Sequence, residues 1–314
     1  MTLSKKDFLG LRNINCHEIN EILETAKLMK YTLVKNNKKT SYLQGKTIVT
    51  LFYENSTRTR LSFELASKYM SASVANVSAS SSSVAKGESL MDTGRTIERM
   101  GVDVIIIRHP LSGAAHLLAR NVNVSVINAG DGMNEHPTQA LLDMFTMCEK
   151  KGGIQGLQVA IIGDILHSRV ARSNIWGLTT MGAKVRVAGP STLMPPGLED
   201  IGVQVFSNVE DAIRDADVVM ALRLQKERQE SSLLPSIREY SKVYGLNKER
   251  IALARKDVLI MHPGPINRGV ELTSHIADCV NSTINEQVTN GVAVRMALLY
   301  LITRRRQNSN ALYS

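Results

Sequence analysis

Short apolar runs recur along this chain at intervals that helix-length segments fill: Thr47 to Phe52, Val102 to Ile107, Val124 to Asn128, Val159 to Ile162, Lys184 to Ala188, Val203 to Phe206, Val218 to Ala221 and Val258 to Met261. Runs that are apolar on consecutive residues belong to strands covered on both faces, and helix-length spacers between them build βαβ units. The pattern restricts the chain to the α/β class. At 314 residues the chain exceeds the usual single-domain size, and the charged, glycine-rich stretch Lys150-Lys151-Gly152-Gly153 interrupts the pattern. Two domains are therefore expected, over residues 1–150 and 151–290, each a parallel sheet flanked by helices. The last helical pattern, residues 291–306 with its clearest periodicity from Gly291 to Thr303, is expected to cross back onto the first domain. Ligands of open α/β sheets bind beyond the carboxyl ends of the strands, which puts the expected active site in the interdomain cleft.

Lys and Arg outnumber Asp and Glu by 38 to 29, a formal charge of +9. Such an excess suits nucleic acid, a membrane surface or a small anionic substrate. The charge is dispersed, however. The longest basic tract, Arg304-Arg305-Arg306, lies beside Asn308-Ser309-Asn310 and reads as a solvated tail, so no nucleic-acid partner is expected. Cys16, Cys148 and Cys279 are far apart and odd in number, which implies neither a disulfide framework nor a zinc site. Lys5, Lys6 and Asp7 stand where a signal peptide needs an apolar core, and no run of about 18 apolar residues occurs. A cytoplasmic protein without a membrane partner is expected, and a small anion is the ligand class that remains.

The run Phe52-Tyr-Glu-Asn-Ser-Thr-Arg-Thr-Arg60 follows the first apolar stretch and opens an amphipathic one. A strand that turns on Ser56-Thr57-Arg58-Thr59 into a helix presents backbone N–H groups, hydroxyls and a guanidinium at one point, as a phosphate requires. Ser-Thr at this place also reads as an ordinary N-cap. Two arginines in the first turn favour the anion site, since cations there oppose the helix dipole unless an anion compensates.

Further polar residues fall where strands end. Arg108-His109-Pro110 follows Ile107, His136-Pro-Thr-Gln139 follows Asn128-Ala-Gly-Asp-Gly, Arg223-Leu-Gln225 follows Ala221, and His262-Pro-Gly-Pro265 follows Met261. Each singly reads as a solvated turn, and together they describe a cleft lined with Arg, His and Gln. Val159-Ala-Ile-Ile-Gly-Asp164 resembles only half of a dinucleotide fingerprint, and no Walker A sequence occurs, so no nucleotide cofactor is implied. No G-x-S-x-G, no metal-type His/Cys spacing and no carboxylate pair appears among the strand ends. These groups suit a reaction whose substrates bring both nucleophile and leaving group, while the protein positions them and stabilises developing charge. Transfer of an activated acyl or carbamoyl group from a phosphate fits.

Taken together, Phe52-x-Glu-x-Ser-Thr-Arg-Thr-Arg60, Arg108-His-Pro, His136-Pro-Thr-Gln139 and Leu222-Arg-Leu-Gln-Lys-Glu-Arg228 resemble the aspartate/ornithine carbamoyltransferase family over nearly the whole chain. Arg223-x-Gln-x-Glu-Arg228 and His262-Pro-Gly-Pro-x-Asn-Arg-Gly269 resemble its aspartate branch, whereas the Ser-Met-Gly loop and His-Cys-Leu-Pro segment of the ornithine branch are absent. The resemblance implies carbamoyl transfer from carbamoyl phosphate to the α-amino group of L-aspartate in pyrimidine biosynthesis, with no cofactor. Ser56, Thr57, Arg58 and Thr59 would hold the phosphate, and Arg108 would bridge phosphate and carbonyl oxygen. Thr59 and His136 would join Arg108 in polarising that carbonyl, and Gln139 would bind the carbamoyl NH₂. Arg169, Arg223 and Gln225 would take the aspartate carboxylates. Outside the resemblance, Arg169 reads as a helix-surface arginine.

Pro263, Gly264 and Pro265 would turn backbone carbonyls toward the incoming amine, with Gly264-Pro265 a candidate cis peptide. Gly264 stands where enterobacterial members carry leucine. Arg295 reads equally as a residue near the phosphate and as a structural helix position, and Glu54 and Arg228 as partners in domain closure. The serine run Ser78 to Ser83 reads as a linker or, with Lys86, as a mobile loop. In the family, Ser82 and Lys86 match a loop that enters a neighbouring subunit's site, which implies a homotrimer with shared sites. The His-Pro-Gly-Pro-x-Asn-Arg-Gly form resembles chains that work without regulatory subunits, some of them docked to dihydroorotase.

Overall fold

The apolar runs form two separate parallel sheets in the computed structural model, which describes residues 3–35, 38–78, 87–224 and 236–311. The first part of the chain runs α1 (Cys16–Val34), β1 (Thr47–Phe52), α2 (Thr57–Tyr69), β2 (Ser73–Ser78), α3 (Leu90–Arg99), β3 (Val104–His109), α4 (Ala114–Asn121), β4 (Ser125–Asp131) and α5 (Pro137–Lys151). Then follow β5 (Gln158–Ile162), α6 (Arg169–Thr180), β6 (Lys184–Ala188), β7 (Gln204–Phe206), α7 (Val209–Ile213), β8 (Val218–Ala221), α8 (Ile237–Tyr244), α9 (Lys248–Ile251), β9 (Leu259–Met261), α10 (Ser274–Ala277) and α11 (Ile284–Ala311). The chain divides into two compact units, Met1–Leu141 with Thr289–Ser314, and Leu142–Val288. Both divisions fall inside helices, α5 and α11.

In unit 1 the strand order is β2-β1-β3-β4, all parallel, with Ile48 opposite Val104 and Val104 opposite Ser125. Val49, Leu51, Ile105, Ile107, Val124 and Val126 pack on one face against Ile97 of α3 and Ala115 and Leu118 of α4. Ile48, Thr50, Ile106 and Ile127, alternate with these along the strands, are as deeply buried on the other face. Burial of both faces explains why the runs are apolar without alternation. The free edge of β4 is covered by Phe8, whose N–H donates to the Val126 carbonyl and whose carbonyl accepts from Asn128, both at 2.9 Å.

In unit 2 the order is β7-β6-β5-β8-β9, again all parallel. Ala160, Ile162, Val219, Ala221 and Ile260 pack against Val209, Ala212 and Ile213 of α7 and Ile276 and Ala277 of α10. The amino ends of the central strands are closed by the same device in both units. Asp103 Oδ2 accepts from Thr47 N–H at 2.9 Å, and Asp217 Oδ2 accepts from Gln158 N–H at 2.8 Å.

The expected runs all form strands, with ends displaced by up to three residues. β2 has no counterpart among them. It is an edge strand, Ser-Val-Ala-Asn-Val-Ser, none of whose residues is fully buried, so no apolar run marks it. The final helix is longer than its periodic stretch, running from Ile284 to Ala311, and its backbone carries Arg304 to Arg306 where a solvated tail was expected.

Candidate active site

The carboxyl ends of β1, β3 and β4, neighbours in sheet order, carry the candidate site residues of unit 1. β1 runs through Tyr53–Asn55 into α2. Ser56 occupies the N-cap with extended backbone, φ −155° and ψ 93°, yet its hydroxyl makes no capping bond. Six other helices have an Asn or Ser N-cap whose side chain accepts from the third helical N–H. No acidic residue occupies the first turn of α2, and Arg60 N–H makes the bond to the Ser56 carbonyl at 3.2 Å. The N–H groups of Thr57, Arg58 and Thr59 thus precede the helical ladder. Thr57 and Arg58 are exposed and Thr59 is buried. Capping therefore does not account for the Ser56 side chain. One turn further along α2, the Ser62 hydroxyl accepts from the Arg295 guanidinium at 2.9 Å, and that guanidinium also lies over the Phe63 ring. Buried Arg295 is thereby bonded into the helix that begins at Thr57.

Arg108 is the penultimate residue of β3, opposite Phe52. Its Nε donates to Glu54 Oε2 at 3.0 Å and its Nη1 to the Ala129 carbonyl at 3.4 Å. Glu54 pairs with Arg108, and Arg228, with which Glu54 was expected to act in domain closure, lies outside the described residues. His109 packs against Tyr53 with ring centroids 4.6 Å apart and the rings tilted by 52°, and its Nδ1 accepts from Leu111 N–H, which leaves the proton of the neutral ring on Nε2. Burial lowers the His109 pKa, with the charges of Glu54 and Asp131 partly opposing it.

β4 ends at Asp131, and five residues bring the chain to α5. Gly132 is required in that turn: its φ is +49°, and a Cβ would lie 2.6 Å from the Ser112 backbone nitrogen. The His136 carbonyl accepts from Gln139 N–H at 3.0 Å, so His136 and Gln139 sit together at the start of α5, and both are buried. The preceding Glu135 accepts from Leu11 N–H at 2.7 Å and so ties this turn to the amino-terminal segment.

Unit 2 repeats the arrangement at the carboxyl ends of β5, β8 and β9. After β5, Asp164 accepts from His167 N–H at 3.1 Å and faces His167 Nδ1 at 2.9 Å. Ser168 caps α6, and Arg169 is its first residue. Only 3% exposed, Arg169 is not a helix-surface arginine. Arg223, partly buried, follows β8, and the next residue, Leu224, donates to Glu271 Oε1 at 2.9 Å. Glu271 also accepts from Asn267 N–H and Nδ2, at 2.9 and 2.6 Å. One buried carboxylate therefore joins the ends of β8 and of the 262–267 loop. At the loop's other end, His262 N–H donates to Gln287 Oε1 at 3.1 Å, and Gln287 Nε2 to buried Asp143 at 2.8 Å. The Gly264-Pro265 bond is cis.

Arg58, Thr59, Arg108, His136 and Gln139 are thus gathered at one sheet edge, and Arg169, Arg223 and Pro263 to Pro265 at the other. Ser82, Lys86 and Gln225 lie outside the described residues. Sequence reasoning missed Asp131, Asp143, Glu271 and Gln287. Asp131 and Glu271 stand in or beside the polar segments that reasoning singled out, but a carboxylate in a polar turn reads as solvated until its burial is known.

Residues 6–149 match the family model for the aspartate/ornithine carbamoyltransferase carbamoyl-P binding domain, and residues 155–302 that for the Asp/Orn binding domain. The aspartate carbamoyltransferase catalytic subunit of Ruminiclostridium cellulolyticum is 70% identical over 97% of each chain. That of Acetivibrio thermocellus is 69% identical over 97% of this chain and 98% of its own. Among solved structures, ornithine carbamoyltransferase from Pyrococcus furiosus superposes with a TM-score of 0.87 at 32% identity, covering 96% of this chain and 98% of its own. Aspartate transcarbamoylase from Trypanosoma cruzi, in complex with carbamoyl phosphate and aspartate, gives 0.85 at 29%, covering 94% and 96%. With both halves matched in order and such identity along nearly its full length, the chain belongs to the aspartate/ornithine carbamoyltransferase family.

Proposed function

We propose that the chain transfers the carbamoyl group of carbamoyl phosphate to the α-amino group of L-aspartate, giving N-carbamoyl-L-aspartate and phosphate, the carbamoyl-transfer step of pyrimidine biosynthesis. The observation that carries the reading is the division of labour between the two sheet edges. One presents a helix start with an unused serine hydroxyl, an arginine-bearing first turn and N–H groups ahead of the ladder. The other presents Arg169 and Arg223, in a chain 70% identical to an aspartate carbamoyltransferase catalytic subunit.

In this reading the phosphate sits on Ser56, Thr57, Arg58 and Thr59, where backbone donors, hydroxyls and the helix dipole all favour an anion. Arg108 exchanges its neutralising partner, Glu54, for the phosphate and carbonyl oxygens of the substrate. Gln139 accepts from the carbamoyl NH₂. Arg169, Arg223 and Gln225 take the two carboxylates of aspartate; a guanidinium fork bonds a carboxylate through two N–H groups and repels the side-chain ammonium of ornithine. The carbonyls of Pro263, Gly264 and Pro265 orient the free amine. Its lone pair forms the new C–N bond, and the carbonyl oxygen becomes an oxyanion on Thr59, Arg108 and His136. One such donor stabilises the transition state by roughly 3 to 4 kcal/mol. Collapse breaks the C–O bond to phosphate, which leaves with the bonding pair and takes up the proton that the nitrogen gives up.

The reading extends to a homotrimer in which Ser82 and Lys86 complete a neighbour's site, to a cytoplasmic location, and to association with dihydroorotase. No helix among the described residues is long and apolar enough to cross a membrane. The test of the chemistry is a panel of amine acceptors with carbamoyl phosphate, following phosphate and carbamoylated product together. L-Aspartate should be turned over fastest, with one phosphate per carbamoyl-aspartate; faster turnover of L-ornithine or another acceptor refutes the assignment.

A further inference from the structure

Asp131 is 1% exposed, and all the hydrogen bonds to its carboxylate come from neutral N–H donors. Oδ2 accepts from Gly113 N–H at 2.7 Å and from Asn134 Nδ2 at 3.0 Å. Oδ1 accepts from Asn128 Nδ2 at 2.8 Å, Glu135 N–H at 3.1 Å and Asn134 Nδ2 at 3.3 Å. The donors belong to different segments. Gly113 is the N-cap of α4, in the turn that leaves β3 just after Arg108 and His109. Asn128 lies within β4, and Asn134 and Glu135 lead directly into His136. The backbone repeats the link, since Gly132 N–H donates to the His109 carbonyl at 2.9 Å and Asp131 N–H to the Glu135 carbonyl at 3.2 Å.

We infer that Asp131 is a positioning residue that holds the strand end bearing Arg108 and the turn bearing His136 in one fixed register. The inference rests on the roles given above to those two side chains. These bonds lie at the carboxyl edge of the sheet, where the β3–β4 register shifts between Ile107 and His109 and the apolar pairs no longer set it. A carboxylate suits the place because it is acceptor-only and offers about four lone-pair directions to converging donors. The isosteric amide turns one of those acceptors into a donor facing N–H groups, so the turn has to open. Reacting groups displaced by about 1 Å lose catalysis far more than they lose ground-state binding.

The test is Asp131→Asn, assayed in the native assembly beside Asn134→Ala and His136→Ala. For Asp131→Asn, kcat should fall by at least about 30-fold while the inhibition constant of inorganic phosphate, set mainly by the start of α2, stays within about threefold. Asn134→Ala, which leaves the carboxylate in place with fewer donors, should lose about three- to tenfold in kcat at unchanged phosphate affinity. A purely structural Asp131 would instead lower the melting temperature and the active fraction, leaving kcat per active site unaltered. Folded Asp131→Asn with kcat within about threefold of the parent overturns the inference when His136→Ala is impaired. Full kcat in His136→Ala overturns the underlying role of His136 instead, and the inference with it. Should Asp131→Asn fail to fold, Asn134→Ala decides: undiminished kcat overturns the inference, and the stated loss supports it.

Discussion

Arg169, Asp131 and Glu271 each stand in a polar segment, and each is at most 3% exposed. Their positions follow from contacts remote in sequence. Glu271 takes the N–H of Leu224, 47 residues away, and Asp131 that of Gly113, 18 residues away. The residue types at the strand ends were legible because donors for phosphate and carboxylate are few; which carboxylates hold them was not. His109 shows the same dependence and has a measurable consequence. Burial keeps its pKa below the ordinary histidine range. As pH falls, the unfolded chain therefore takes up this proton before the folded one does. Stability from the neutral ring is complete above the ordinary value near 6.5 and is lost progressively as pH falls toward the folded-state value. Between about pH 7 and 5, the melting temperature of His109→Gln should fall less steeply than that of the parent, and parallel slopes would contradict the assignment.

At the scale of the element, interior strands and edge strands leave different traces. Ile106, in the middle of β3, is 0% exposed and has β1 on one side and β4 on the other. Ile106→Ala should destabilise unit 1 by about 3 kcal/mol, through lost transfer energy and the cavity that remains. Val74, half-buried in β2 with β1 as its partner, should cost no more than about 1 kcal/mol as alanine. Chemical denaturation of the two variants checks the difference, and equal losses would mean that β2 is buried by something the chain alone does not show. The same contrast explains what could be read beforehand. Strands buried on both faces are visible as apolar runs, whereas β2 rests on backbone pairing with β1 and has little apolar pattern. Helix α2 was legible as a start signal, but that the Ser56 hydroxyl makes no capping bond needed the structure.

For the whole molecule, parallel strand order is what turns scattered motifs into sites. β1, β3 and β4 are adjacent in one sheet and β5, β8 and β9 in the other, so residues from 56 to 139 share one edge and residues from 164 to 265 share another. The proposed sharing of sites between subunits is testable at this scale. The native mass should be three times the 34.6 kDa of the chain. Mixing Lys86→Ala chains with Arg58→Ala chains should restore activity, because some sites then draw both intact residues from different copies. Complete absence of recovery after verified subunit exchange would remove the shared-site model. The sequence alone determined the α/β class, the two sheets and the chemical character of the strand ends, since these depend on local periodicity and residue type. Only the tertiary structure decided which strands are neighbours, that Glu54 meets Arg108, that Arg169 is buried, and that Asp131 and Glu271 brace the turns around them. Those outcomes depend on burial and on hydrogen bonds closed across long stretches of chain, such as that between Arg295 and Ser62, 233 positions apart, and no local pattern encodes them.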